Sequence, residues 1–375
     1  MRMFFSALAT LVVLALPFAA SPALAFDENA FLEQLESSIV SGDISFGFGS
    51  TQGDEDSFSI NDVMIENPEK NRRTKIETIT FTGIEGDEAV GFSFEDLNAS
   101  GYNQTNTDTS LVSTIRSISA TGLGFNRGNP SDLLPASASS ITFSDIAILP
   151  EGDRSKGSFT LPRIEIVDFT RGEDETVSFA QARVSSFTGR SFNSDGDPVD
   201  MTFDGLRIDD FKRFGETGFD VGFLELGPVA VNGVGKQGPF SISFGGLNVE
   251  NYYVAGTGDD ARPFIADNTV SATINPLSIS VAGTEIFSWA GAESVSENDR
   301  ATKTSKSRTT FRDISIDLAA IPQEGSARRS LQPIFELGYE RISANIFLEA
   351  ATNLAAGTMS LSRLELDLVE AGKIN

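Results

Sequence analysis

From Ile44 onward the chain is written in short runs of Phe, Ile, Val, Ser and Thr, broken by Gly, Asp, Asn and Pro. Most runs alternate apolar with polar, as in Ile76-Glu-Thr-Ile-Thr-Phe81, Phe240-Ser-Ile-Ser-Phe244 and Leu361-Ser-Arg-Leu-Glu-Leu366. That alternation is the mark of strands with one buried face. It is interrupted by a recurrent slip. Thr202-Phe-Asp-Gly-Leu-Arg-Ile208 reads apolar, any, Asp or Gly, apolar, any, apolar. The same order returns at Thr80-Phe-Thr-Gly-Ile84, Ser93-Phe-Glu-Asp-Leu97, Thr142-Phe-Ser-Asp-Ile146, Ser243-Phe-Gly-Gly-Leu247 and Thr310-Phe-Arg-Asp-Ile314. Looser copies begin at Ile60, Ala120 and Leu161.

In a regular strand Phe203 and Leu206 would point to opposite faces. One extra residue, inserted as a bulge, returns both to the same face, and Gly or Asp suits the left-handed conformation that some bulges need. A short turn between two strands gives the same spelling. The copies are unevenly spaced, unlike a propeller or regular solenoid. The pattern predicts a mainly β fold: an irregular, curved antiparallel sheet of repeated strand-bulge-strand units.

One helix is expected ahead of the strands. In Asp27–Ile39, Phe31, Leu35 and Ile39 share a face and the acidic residues sit at the start, which suits a lid packed on the first strands. Before it, Arg2 precedes an apolar run from Ser6 to Ala20 and the small residues of Ala23-Leu24-Ala25, the layout of a cleaved signal peptide over residues 1–25. No second long apolar stretch follows, so no integral membrane span is expected. Residues 26–375 then form one β-rich domain, or two subdomains with a seam near 190–200.

Composition changes the picture by exclusion. The chain has no Cys and no His, which removes disulfides, Ser-His and Cys-His nucleophile pairs, and conventional zinc sites. Enzyme function is not expected. Carboxylate chemistry survives in principle, yet among 53 acidic residues a neighbouring pair such as Asp209 and Asp210 carries no information. A net charge of −25 opposes nucleic acid and anionic surfaces in general. Thirty Phe against four Tyr and one Trp point to an apolar interior, because Phe has no polar handle.

Three candidate sites remain. Phe203, Phe244 and Phe311, at the same place in three copies of the motif, are candidates to line a groove for a hydrophobic ligand. Asn193, Asp195, Asp197 and Asp200 offer hard oxygen ligands that can hold calcium, although the order is not that of an EF-hand and a solvated turn is the favoured reading of the same residues. No other cofactor is expected. Arg300, Lys303, Lys306, Arg308 and Arg312 form a basic run that suits an anionic group or acidic partner, or pairs with the protein's own carboxylates.

The leader, the acidic helix, Phe58-Ser-Ile-Asn-Asp-Val-Met-Ile65, Tyr339-Glu-Arg-Ile342 and Gly357-Thr-Met-Ser-Leu361 together resemble uncharacterised exported proteins of alphaproteobacteria. There is also a similarity to strand-repeat lipid-bridge proteins of the bacterial envelope. The resemblance implies a periplasmic protein and says nothing about catalysis. Two functions fit: a structural or protein-interaction role in the envelope, or carriage of lipid or another hydrophobic ligand in a Phe-lined groove. They differ in whether the apolar face is filled or open.

Overall fold

The computed structural model describes residues 26–40, 44–87, 91–106, 111–124, 136–150, 157–172, 176–193, 195–214, 218–235, 237–254, 268–299, 301–321, 332–336, 338–353, 355–369 and 372–374. The expected leader, residues 1–25, lies outside them. The protein is mainly β and antiparallel, and it divides into two units, Met1–Ser185 and Ser186–Asn375.

The first unit opens with helix α1, Glu28–Ile39, capped by Asp27, whose carboxylate accepts from the backbone N–H of Asn29 and Ala30 at 3.1 Å each. Its strands are β1 (Ser45–Gly47), β2 (Ser50–Gly53), β3 (Ser57–Asn67), β4 (Arg72–Thr82), β5 (Glu85–Asp87), β6 (Gly91–Ser93), β7 (Asp96–Asn106), β8 (Leu111–Thr121), β9 (Ser137–Pro150), β10 (Ser158–Arg171) and β11 (Val177–Val184). Apart from the small β5–β6 hairpin they form a meander. β1 and β2 share the outer edge of β3, and β3, β4, β7, β8, β9, β10 and β11 pair each with the next.

Across this sheet the positions Asp62, Glu77, Gly101, Arg116, Asp145 and Pro162 fall on one transverse line, bracketed on both sides by regular pairs. Alternate members adopt left-handed backbone: Asp62 at φ 54°, Gly101 at 66° and Asp145 at 50°. The line is a crease. On crossing it each strand reverses the sense of its alternation, so Ile60 and Val63, three apart, are both buried, as are Ile76 and Ile79, and Phe143 and Ile146. Asp is one of the few residues beside Gly that enters this region at small cost, because its short side chain bonds locally.

The second unit repeats the device, with a crease that divides most of its strands into shorter pieces. It contains β12 (Phe187–Phe192), β13 (Pro198–Phe203), β14 (Leu206–Phe214), β15 (Gly218–Leu226), β16 (Val229–Gly235), β17 (Gly238–Phe244), β18 (Leu247–Val254), β19 (Asn268–Ile274) and β20 (Leu277–Val281). There follow β21 (Thr284–Trp289), β22 (Gly291–Asp299), β23 (Thr304–Asp317), a five-residue helix α2 (Gln332–Glu336), β24 (Arg341–Asn353), β25 (Thr358–Leu368) and β26 (Gly372–Ile374). β13 with β14, β15 with β16, β17 with β18, β19 with β20, and β21 with β22 are each one run of chain broken only at a crease.

That crease passes through Asp204-Gly205, Gly227-Pro228, Gly245-Gly246, Asn275-Pro276 and Ala290. Two prolines sit where a strand interior would not admit them, and their carbonyls still accept across the line, from Asp204 N–H at 2.8 Å and Gly245 N–H at 2.7 Å. Glycine is required by close approach at Gly246 and Gly291, where a Cβ would stand 2.3 Å and 2.4 Å from the carbonyl oxygens of Leu226 and Ile274.

The structure refines how the repeated unit works. At Phe203 and Leu206 no residue is inserted: Phe203 faces Val229, Leu206 faces Leu226, and the ladder resumes in phase. The same holds between Phe143 and Ile146 and between Phe244 and Leu247. Left-handed residues in alternate strands bend the sheet without an insertion. At Phe311 and Ile314 the register does shift, the bulge that the motif suggests.

Candidate functional site

The three Phe positions singled out by the motif lie along one face of the second unit, spread over several strands. Phe187, Phe203, Val229, Phe244, Leu277 and Trp289 stand opposite one another across β12, β13, β16, β17, β20 and β21. On the other side of the crease runs a second row from β14 to β25: Leu206, Leu226, Leu247, Ile274, Ala292, Phe311, Ile346 and Leu366. With strands about 4.8 Å apart, eight of them make this row about 34 Å long. Trp289 meets Phe311 across the crease at 5.8 Å between ring centroids, so both rows share a face. Phe187 and Phe203 pack at 4.9 Å.

The burial of this face separates the two units. In the first, the row Ile60, Ile79, Ala99, Ile118 and Phe143 is 0–6 % exposed, and its continuation, Ile164 and Val184 on β10 and β11, is partly buried. Helix α1 closes one end of that core, with Phe31 5.6 Å from Phe58 and 5.2 Å from Phe81. In the second unit every residue of both rows is half-buried except Ala292. Two apolar rows flanking a bend thus form a trough that remains partly open to solvent.

Polar groups are scarce in it. The indole N–H of Trp289 is tied to the carbonyl of Gly291 at 2.6 Å. Further along the face the hydroxyls of Ser294 and Thr309 satisfy each other at 2.9 Å. The opposite face handles its aromatics differently. There Arg207 covers Phe223 at 5.5 Å and Arg363 covers Phe347 at 4.6 Å, and the two guanidiniums pair with Asp209 and Glu365. Among the described residues no guanidinium covers a trough aromatic in this way.

The other two candidate sites are occupied by the protein itself. Asn193 folds its side-chain oxygen over the turn, accepting from the N–H of Asp195 and Asp197 at 2.9 Å each. Asp200 is held by Arg190 at 2.6 Å and 3.1 Å, and this hydrogen-bonded pairing lowers its carboxyl below the usual range. Among the described residues no three acidic side chains converge closely enough to hold a metal ion.

The basic run lies on β23 and the turn before it. Arg308 pairs with Glu349 at 3.2 Å and Arg312 with Glu293 at 2.7 Å. Lys306 faces Glu297 in the ladder, and Lys303 occupies the turn at φ 54°. Arg300 lies outside the described residues. A cleft of about 370 Å³ beside Lys306 and Arg308 therefore presents ion pairs to an incoming anion.

Trp289 and Phe187 were missed by reading the motif alone. Gly-Pro and Asn-Pro at the crease disguise the spacing in Leu226-Gly-Pro-Val229 and Ile274-Asn-Pro-Leu277, and Trp289-Ala-Gly-Ala292 ends on a small residue. No protein-family model matches the sequence, and no curated protein matches it. Among the described residues no helix is long and apolar enough to cross a membrane.

Proposed function

We propose that this protein is a non-catalytic, exported component of the bacterial envelope that holds acyl chains of a lipid in the trough of its second unit. One observation carries the reading: apolar rows that are buried across β3 to β9 of the first unit are only partly buried in the second, Ala292 excepted. Leaving that much apolar surface wet costs about 25 cal/mol per Å², a cost that an acyl chain removes. A protein partner is the weaker occupant. Protein interfaces carry about one hydrogen bond per 100–200 Å² and are enriched in Tyr and Arg, whereas the side chains of the two rows offer only the indole N–H of Trp289, already bonded to Gly291. An acyl chain asks for none.

The leader-like N-terminus supports placement in the periplasm, and the net charge of −25 favours solubility there over adhesion to anionic membranes. Mass spectrometry of organic extracts tests the reading on protein purified from its own envelope without detergent. The expected result is a stoichiometric acyl lipid that Phe244→Asp loses while keeping its β-sheet circular dichroism. A folded wild-type protein that yields no lipid contradicts it. So does a protein partner retained in place of lipid.

A further inference from the structure

Phe26 precedes helix α1 and yet belongs to the packed aromatic cluster of the first unit. Its ring stands 5.8 Å from Phe31, 5.2 Å from Phe58 and 6.2 Å from Phe92, and those three residues are 0–4 % exposed. The leading residues of a domain are poorly ordered unless something ties them down, and these rings do so here. The Phe26 nitrogen lies 3.4 Å from Glu55 Oε2.

The turn that carries Glu55 is held on both sides. Asp54 donates its N–H to the Ser57 carbonyl at 3.1 Å, and its carboxylate accepts from the N–H of Asp56 at 3.1 Å and of Ser57 at 3.3 Å. The Glu55 carbonyl accepts from Ile84 N–H at 2.9 Å. Among the described residues no Lys or Arg forms an ion pair with Glu55, so its carboxylate lacks a cation. Neighbouring acids are engaged elsewhere. Asp27 accepts from the N–H of Asn29 and Ala30, and Glu28 accepts from the Thr51 hydroxyl.

The small residues Ala23-Leu24-Ala25 end at the Phe26 nitrogen. Hydrolysis of the Ala25–Phe26 bond adds water across it: the hydroxyl goes to the Ala25 carbonyl carbon and a proton to the Phe26 nitrogen, which takes another from solvent at neutral pH. A neutral amide with a single N–H becomes a cation facing a carboxylate. We infer that Ala25–Phe26 is the processing site and that Glu55 receives the new N-terminus, an ion pair that fastens α1 over the core once the leader is gone. Removal of a leading segment is a recurrent way to switch a fold between two states. The inference rests on the export in the proposed function and is independent of what fills the trough.

Intact mass of the chain recovered from the periplasm of a Gram-negative host is the first test, with Phe26–Asn375 expected. A chain that keeps Met1 contradicts export itself. A periplasmic chain with another first residue overturns this inference alone. The second test labels the mature N-terminus with isotopic methyl groups and reads its pKa by NMR. The value is expected about half a unit above the about 7.7–8.0 of a free α-amino group, and Glu55→Gln returns it there with unchanged circular dichroism. In a control chain with one methionine added before Phe26, the amine stands a residue further out and Glu55→Gln leaves its pKa unmoved. An ordinary pKa in the mature chain overturns the inference. So does an equal response in both chains, which marks the general acidity of the surface instead.

Discussion

Tyr102 sits at the centre of the first unit's core, 1 % exposed, beside the crease at Gly101. Its hydroxyl closes no hydrogen bond of normal geometry among the described residues. Burial raises its pKa to about 12, against the smaller opposing influence of the Thr74 hydroxyl and the Arg72 charge. The sign for stability follows from the protons bound. Above about pH 10 the unfolded chain releases this proton while the folded chain keeps it, so the contribution is whole below pH 10 and is lost as pH rises towards about 12. Tyr102→Phe removes the unsatisfied group. It is expected to stabilise the fold by about 1 kcal/mol at neutral pH, read as a higher melting temperature, and to flatten the alkaline loss. A lower melting temperature would mean that the hydroxyl has a partner.

At the scale of the element, the crease decides the fold. A strand that merely alternates keeps one face inward only while it is straight. Placing left-handed residues at intervals lets each strand bend and still present Ile60 and Val63, or Ile141, Phe143 and Ile146, to the same interior. Asp168, at φ 53° in β10, shows this most simply because it is exposed. Asp168→Val is expected to cost about 1–2 kcal/mol, the penalty of left-handed backbone for a residue without a local bonding side chain. Asp168→Asn should be nearly silent, and urea unfolding compares the two. Equal stability of all three proteins would remove backbone conformation as the reason for Asp at this position.

The same physics explains what was legible in the sequence. The spacing of Phe203 and Leu206 around Asp204-Gly205 gave away a bend and its inward face, because both are local consequences of side-chain direction. That the bends line up across strands was not legible, since Asp62, Gly101 and Asp145 are brought together only by pairing. Nor was the fate of the basic run. Arg308 and Arg312 are neutralised by Glu349 and Glu293, which come from β24 and β22. The trough was half visible: Phe203, Phe244 and Phe311 carry the motif, whereas the row-mates Phe187 and Trp289 join them through cross-strand register alone.

For the whole molecule, the outward surface and the trough follow opposite rules. Outside, exposed ion pairs such as Arg73–Glu66 and Arg190–Asp200 lie in water, which screens them, and serve solubility more than stability. Inside the second unit, the two apolar rows are only partly buried, Ala292 excepted. Phe203, Phe244 and Phe311 are only partly buried, whereas the first unit buries Ile60, Ile79, Ala99, Ile118 and Phe143.

The chain's single tryptophan, Trp289, stands in the trough against Phe311. Its fluorescence therefore reports directly on that face, and titrating the lipid-stripped protein with dibromostearate tests the central claim. Contact quenching by the brominated chain, saturable, absent with plain stearate and abolished by Phe244→Asp, is the predicted result. Undiminished Trp289 emission at saturating dibromostearate, in a folded protein, would contradict an acyl-chain site in the trough.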